Sequence, residues 1–304
     1  MNPSIETAVP IRKSPARGAL QLLSSIRLGE VLVLQGSPLI GALFSMRRIT
    51  PAAFPSIALL AAGSTVLVAH VFVLNDWSGA SGDLRDPNRV NRVFTNRGIA
   101  RSGIACLSVA LLALALLLLR MLGNRALAIG AAIAALSALY SSPRIHGKGV
   151  PVLSSALHFT GGLLHFLLGY SVFTVPDWRG IQIGSFFAAV FVAGHLTHEI
   201  RDSDSDRANG IRTNAVTFGK MQSFVCGMAL FTLADVLLVV LALRGVVPRV
   251  LGISGGICPL HIYWSFQAIR GGLTFRAIRR LQTRYRVLYA LTGSLIVVTR
   301  LLTR

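Results

Sequence analysis

Long runs of apolar residues limit the folds open to this chain more than any other feature. The run 104–119 is almost unbroken and ends at Arg120, and similar runs cover 181–196 and 229–243. A helix that crosses the hydrocarbon core of a membrane needs about 20 mostly apolar residues. Because lipid offers no partner to backbone N–H and C=O groups, such segments must be helical. The runs therefore predict an all-α integral membrane protein.

The low charge content supports this prediction. The chain has 304 residues, of which 53% are hydrophobic and only 13% are charged. Soluble domains usually contain about 45–50% apolar and about 25% charged residues. Halving the charge removes much of the polar surface that a soluble fold needs, so the soluble classes are excluded.

Turn residues and charges separate nine apolar segments, and each is predicted to be one transmembrane helix. The segments are 22–46, 54–75, 102–121, 126–141, 151–173, 181–199, 222–243, 249–269 and 285–302. Residues 1–16 are expected to form a loose cytosolic tail, and residues 17–304 a single transmembrane domain.

The basic residues predict the orientation. With the N-terminus in the cytosol, most of the 30 lysines and arginines fall on the cytosolic side, as the positive-inside rule requires. We therefore expect a multi-pass protein of a bacterial-type inner (plasma) membrane. The net charge of +19 is dispersed between the spans, which favours contact with anionic membrane lipids and argues against nucleic-acid binding.

The acidic residues are scarce and clustered. Seven of the eleven lie in the segments 75–86 and 199–206, and both segments follow the cytosolic end of a predicted span. Neighbouring carboxylates repel one another and are best tolerated with a cation between them. Carboxylate oxygens suit Mg²⁺, which also binds water and substrate phosphates. The two segments predict a Mg²⁺ site, with a solvated acidic surface as the alternative.

Basic residues accompany both acidic segments. Arg92 and Arg97 follow the first, Arg207 and Arg212 follow the second, and the connection 142–150 carries further cations. A diphosphate requires metal ions together with cationic donors, and arginine presents a planar fork to phosphate oxygens. Some of these cations also serve as orientation determinants, so the pattern by itself leaves both roles open.

The first acidic segment resembles a motif of the UbiA superfamily of intramembrane prenyltransferases, N-D-x-x-D-x-x-x-D. Asn75, Asp76 and Asp83 match it without a gap, and Gly79 replaces the central Asp. Asp86, one turn further on, is a hypothetical substitute.

The second acidic segment and the connection between the two also resemble this family. Asp202 and Asp206, followed by Gly210, Arg212 and Thr213, are similar to the family's second motif. The stretch from Tyr140 to Lys148 is similar to a family connection that contains Tyr, Ser, Pro and Lys. The resemblance covers nearly the whole chain.

The resemblance implies a fold and a reaction. The fold would be nine transmembrane helices around a central cavity, capped by two Asp-rich cytosolic loops. The reaction would transfer a prenyl group from a polyprenyl diphosphate to an acceptor, aromatic or a quinone precursor, with Mg²⁺ as cofactor. The implied catalytic residues are Asp76, Asp83, Asp202 and Asp206. The implied metal ligands are these four with Asn75, Asp86 and Glu199, and the implied diphosphate-binding residues are Arg92, Arg144, Lys148, Arg212 and Tyr140.

Ionisable residues inside spans usually face a cavity. We therefore expect an acceptor pocket to include some of the ionisable residues in or near the spans: Arg27, Glu30, His158, His165 and His198. Helix packing through hydrogen bonds is the alternative for the histidines, and a salt bridge is the alternative for Arg27 and Glu30, which are three residues apart.

Two other functions stay open. A terpene cyclase would ionise the same donor without an acceptor. An ion or small-molecule transporter would also use intramembrane acids, but transporter sites lie near the membrane midplane, whereas these acids cluster at one face.

Overall fold

A computed structural model describes residues 22–86 and 90–302. All regular secondary structure within these ranges is helical. The predicted tail, residues 1–16, and the predicted start of the transmembrane domain at residue 17 lie outside the described residues.

The helices follow the apolar segments closely. The α-helices are Leu28–Leu34 (α1), Gly36–Ser45 (α2), Phe54–Asp83 (α3), Arg101–Met121 (α4), Asn124–Ser141 (α5), Leu153–Tyr170 (α6), Trp178–Ala208 (α7), Asn214–Thr217 (α8), Lys220–Leu243 (α9), Ile257–Arg270 (α10) and Phe275–Leu302 (α11). Short 3₁₀ helices cover Pro51–Ala53, Val90–Arg92, Phe94–Arg97, Gly147–Gly149 and Arg249–Gly256.

Seven helical stretches in the described residues are long and apolar enough to cross a membrane, with α1 and α2 together forming one of them. This confirms the all-helical membrane fold. Helices α6 and α10 also occupy predicted spans, but neither is among the seven. Helix α6 carries two histidines, which lower its hydropathy, and α10 has only 14 residues. The count of nine spans therefore stays a prediction.

The acidic segments are helical except for Leu84 to Asp86, which follow α3, and this corrects the prediction of Asp-rich loops. Helix α3 runs through Asp83, and α7 runs through Ala208, beyond the predicted span ends at 75 and 199. At 1.5 Å per residue each helix is about 45 Å long, which exceeds a hydrocarbon core of about 30 Å. The acids therefore lie on helical extensions of the spans. Helix α7 ends where Gly210 adopts a positive φ of 70°.

Close helix contacts form where glycines replace larger residues. Helix α2 packs against α6, and a Cβ atom on Gly169 would lie 1.7 Å from the carbonyl oxygen of Pro38. A Cβ atom on Gly41 would lie 2.2 Å from the carbonyl oxygen of Phe166. Small residues allow helix backbones to approach in this way. The buried core beside this contact joins α2, α6, α7, α9 and α11 and includes Phe166, Ile183 and Leu238.

Candidate active site

The acidic ends of α3 and α7 are joined directly. Asn209, just after α7, donates from Nδ2 to the carbonyl oxygen of Gly82 on α3 at 3.3 Å, and to that of Ser205 at 2.9 Å. A Cβ atom on Gly82 would lie 3.5 Å from the Asn209 side chain, which is an ordinary van der Waals contact. Two segments that are more than 100 residues apart in sequence therefore meet at one end of the bundle.

Asp76 and Asp83 lie two turns apart on one face of α3, with Gly79 between them. A Cβ atom on Gly79 would have only Asp83 Oδ2 within 4 Å, at 3.9 Å, so this face is open. Arg27 binds Asp76 through two hydrogen bonds, from Nε to Oδ2 at 3.0 Å and from Nη2 to Oδ1. Arg27 also lies 3.6 Å from Glu30. The predicted acceptor residues Arg27 and Glu30 therefore lie beside a predicted metal ligand.

Asp202 and Asp206 lie one turn apart on α7. Arg201 donates to both oxygens of Asp202, at 2.8 and 2.9 Å, and to Gln282 of α11 at 3.1 Å. Lys148 donates from Nζ to Asp206 Oδ1 at 3.1 Å. Each of these two acids is thus paired with a cation.

The connection between α5 and α6 reaches both acidic helices. Ser78 of α3 donates to the carbonyl oxygen of Ser141, which ends α5. Seven residues later, Lys148 contacts Asp206 of α7. Arg144, in the same connection, is exposed. The connection predicted to bind diphosphate therefore lies between the two sets of carboxylates.

Two histidine rings stack beneath this connection. His158 of α6 and His195 of α7 are nearly parallel, with ring centroids 3.6 Å apart and an interplanar angle of 10°. Tyr140 packs edge-on against His158 at 4.9 Å, and Phe191 lies 5.5 Å from it. His195, which the sequence patterns above do not select, lies 3.0 Å from Glu199 Oε1 through its Nε2. Its spacing of four residues from Glu199 is the signal that would have identified it.

Glu199 is buried among hydrogen-bond donors. Its Oε1 accepts a hydrogen bond from Ser154 Oγ at 3.0 Å, and its Oε2 accepts from Asn214 N at 3.0 Å and Asn214 Nδ2 at 2.9 Å. The residue is only 4% exposed. Glu199 thus connects α6, α7 and α8 in this structure, and its metal role stays a prediction.

His165 and His198 lie in different environments. His165 is buried, and its Nε2 lies 2.9 Å from Ser64 Oγ on α3, which is the helix-packing contact that the sequence left as its alternative. His198 is exposed on α7, one turn before Asp202. Of the predicted acceptor histidines, His158 and His198 are thus the two that lie near the acidic end.

The remaining predicted residues have varied environments. Asn75 is half-buried on α3, and Arg212 is exposed after α7. Asp86 is buried in the turn after α3, where its carbonyl oxygen accepts from Val90 N at 2.8 Å. The backbone of Arg92 belongs to a 3₁₀ helix, and its side chain lies outside the described part of the structure.

Within the described residues, no group of three or more His, Cys, Asp or Glu side chains forms a complete metal site. The donor chemistry nevertheless fits Mg²⁺, because this ion is held by one or two carboxylates together with water and substrate phosphates. Asp76 and Asp83 on α3 and Asp202 and Asp206 on α7 supply such carboxylates.

The fold and this site define a multi-spanning helical membrane protein with one carboxylate-rich end. The chain belongs to the UbiA prenyltransferase family, whose family model matches residues 37–281. This confirms the family that the two acidic segments predict.

Solved structures share the fold over most of the chain. A UbiA homologue from Archaeoglobus fulgidus bound to GPP and Mg²⁺ is 15% identical with a TM-score of 0.68, and the match covers 90% of this chain and 99% of that one. The apo structure of a UbiA homologue from Aeropyrum pernix K1 is 16% identical with a TM-score of 0.70, covering 90% and 99%. A structure from work on digeranylgeranylglyceryl phosphate synthase in membranes is 17% identical with a TM-score of 0.69, covering 93% and 99%. No curated protein matches the chain.

Proposed function

We propose that this protein is a Mg²⁺-dependent prenyltransferase that moves a prenyl group from a polyprenyl diphosphate to a lipophilic acceptor, aromatic or a quinone precursor. The contact between Asn209 and Gly82 carries the proposal, because it brings the acids of α3 and those of α7 to one end of the bundle. The family membership and the homologue bound to GPP and Mg²⁺ support the same assignment.

The carboxylates and their cations form a site that rearranges on binding. Asp76, Asp202 and Asp206 are paired with Arg27, Arg201 and Lys148. Arg27, Arg201 and Lys148 would bind the oxygens of a diphosphate, and Asp76, Asp202 and Asp206 would then be available to hold the metal. Bound Mg²⁺ would neutralise the charge that develops on the leaving diphosphate. Arg92, Arg144 and Arg212 lie in the segments next to these acids and add further donors.

The rings near the site suit an allylic cation. Tyr140 and Phe191 each lie within 5.5 Å of the His158 ring, next to the connection that carries Lys148. Aromatic faces attract cations, most strongly where water is excluded. We propose that this aromatic group lies beside the reacting carbon of the donor, with the rest of the prenyl chain among the apolar helices.

His158 is the candidate base for the proton that the acceptor loses. Its Nδ1 lies 2.8 Å from the carbonyl oxygen of Ser154, and a carbonyl only accepts hydrogen bonds. Nδ1 of the neutral ring therefore carries the proton, and Nε2 presents a lone pair. His195 stacks on this ring, and Glu199 Oε1 lies 3.0 Å from His195 Nε2. The pair thus has the arrangement of a base and its positioning group.

The test measures prenyl transfer by the purified full-length protein. Labelled polyprenyl diphosphate and hydroxylated aromatic acceptors are supplied with Mg²⁺. We expect Asp76→Ala and Asp202→Ala each to lower turnover by about 100-fold or more. Asp204→Ala is the matched control, because Asp204 is on the same helix but is 87% exposed and pairs with Lys220.

Unchanged turnover in both acid variants, with normal expression, would refute the proposed metal role. A cyclic hydrocarbon formed from the donor alone would identify a terpene cyclase. Absence of any product with every acceptor and every donor length would exclude the prenyltransferase activity itself.

A further inference from the structure

A basic crevice lies at the end of the bundle opposite the acids. Its volume is about 390 Å³, and Arg47, Arg179 and Arg300 all line it. Arg47 follows α2, Arg179 is in the first turn of α7, and Arg300 is in the last turn of α11. Three separate parts of the chain thus bring guanidinium groups to one opening.

The crevice and the acids are separated by the full thickness of a membrane. Arg179 and Asp206 both belong to α7, and their separation in sequence corresponds to about 40 Å of helix. A bilayer with its headgroups is about 40–45 Å thick. Trp178, beside Arg179, is 70% exposed, and Phe54, at the start of α3, is 60% exposed. Exposed aromatic residues are typical of the headgroup level.

The charge of the crevice is positive. Asp177 also lines it, but its Oδ1 accepts hydrogen bonds from Tyr170 OH at 3.0 Å and from Gly180 N at 2.8 Å. This carboxylate caps the N-terminus of α7, which is a structural role. Three guanidinium groups therefore face one carboxylate that already has other partners. Like charges gathered in this way favour an anion between them.

Two of the arginines are held in place by contacts within the protein. Arg179 Nε donates to the carbonyl oxygen of Val246 at 3.1 Å. The Arg300 guanidinium lies over the Phe44 ring, 5.2 Å from its centroid. A guanidinium has five N–H donors, and the contact with Val246 engages one of those of Arg179. The fork matches two oxygens of a phosphate group.

We propose that this crevice binds the phosphate group of an anionic phospholipid in the leaflet opposite the candidate active site. Phe44 and Met46 line the same crevice but are only 2% and 6% exposed, so the acyl chains would lie outside it, among the surrounding lipids. The headgroup would connect the ends of α2, α7 and α11, which come from distant parts of the chain. The site is independent of the prenyl transfer reaction.

The experiment measures thermal unfolding of the full-length protein in a neutral detergent. The additions are phosphatidylglycerol, phosphatidylcholine or inorganic phosphate. We expect phosphatidylglycerol to raise the Tm of the wild type by about 2–5 °C, and the other two to raise it by less than half as much. The triple variant R47Q/R179Q/R300Q should lose this increase.

The matched control is R120Q/R125Q/R244Q. These exposed arginines lie at the ends of α4, α5 and α9 that are on the same side of the bundle as the crevice, but they do not line it. Both triple variants lose three positive charges. The control should keep the lipid-induced increase in Tm. If both triple variants lose it, general charge attraction explains the effect and the site is refuted.

Two further variants test the proposed phospholipid site if the triple crevice variant does not fold. Arg47 and Arg179 are exposed, so R47Q/R179Q should fold and lose most of the lipid-induced shift. R47K/R179K keeps the charge without the fork and should retain an intermediate shift. An unchanged shift in R47Q/R179Q would overturn the proposal. So would a shift with inorganic phosphate equal to that with phosphatidylglycerol, because the ligand would then be a free anion.

Discussion

Asn209 donates a hydrogen bond to the backbone of Gly82 at 3.3 Å, and this contact connects the acidic end of α7 to that of α3. The same amide also bonds the carbonyl oxygen of Ser205 within α7. Asn209 therefore sets the distance between two sets of carboxylates that belong to separate parts of the chain.

Asn209→Ala should impair binding of the donor more than it impairs folding. The variant loses two hydrogen bonds, each worth about 0.5–1.5 kcal/mol. We expect a several-fold rise in the KM for polyprenyl diphosphate and in the Mg²⁺ concentration for half-maximal rate. Titrations of donor and metal measure both. If KM and Mg²⁺ dependence match those of the wild type, this contact does not position the site.

Glu199→Gln should lower stability without changing the Mg²⁺ requirement. The new amide group would face donors, because Ser154 and Asn214 both donate to this carboxylate. A buried polar group left without its partner costs about 1–3 kcal/mol. Thermal unfolding with and without Mg²⁺ measures this. A normal Tm together with a raised Mg²⁺ requirement would instead support the metal role predicted from the sequence.

Gly79→Asp should strengthen metal binding. The position has space, since only Asp83 Oδ2 would lie within 4 Å of a Cβ atom at this residue. The added carboxylate would stand between Asp76 and Asp83 on one face of α3, and a cation relieves their repulsion. We expect the Mg²⁺ concentration for half-maximal rate to fall about tenfold, which corresponds to about 1.4 kcal/mol. Gly79→Ala controls for the gain in helix propensity, and an equal fall in that variant would contradict the explanation.

His158→Gln should reduce transfer to the acceptor and leave donor binding nearly unchanged. Loss of a positioned base typically costs about 10²–10⁴-fold in rate. His165→Gln is the matched control, because it lies two turns further along α6 and contacts Ser64. That variant should lower the Tm and keep most of the activity. Equal losses of activity in both would show that His158 acts only through packing.

Gly169→Ala should destabilise the protein strongly. Its Cβ atom would overlap the Pro38 carbonyl oxygen at 1.7 Å, and overpacking of this kind costs about 1–3 kcal/mol or more. Gly161→Ala, on the same helix, has nothing within 4 Å and should be neutral or stabilising. Thermal unfolding in detergent compares the two variants. Similar Tm values would mean that α2 and α6 are not in close contact.

The sequence predicts the membrane fold well because long apolar runs have few alternatives in lipid. Gly79, Gly82 and several serines favour a loop locally. The acidic segments are nevertheless helical as far as Asp83 and Ala208. Tertiary contacts override this preference: Asn209 bonds Gly82, and Ser78 bonds the end of α5.

The environments of individual site residues are harder to predict than the fold. Glu199 lies within an acidic cluster, and nothing near it in sequence reveals that Ser154 donates to it from another helix. The basic crevice likewise joins Arg47, Arg179 and Arg300, which are far apart in sequence. Such relationships depend on helix packing, which hydropathy patterns do not specify.

The most direct test is a double-mutant cycle on Asp76 and Asp202 that measures Mg²⁺-dependent binding of a non-reactive polyprenyl diphosphate analogue. If both carboxylates act on one metal–diphosphate complex, the effects of D76N and D202N should be coupled by about 0.5–3 kcal/mol. Effects that add to within about 0.5 kcal/mol in the double variant would show independent sites and contradict the account.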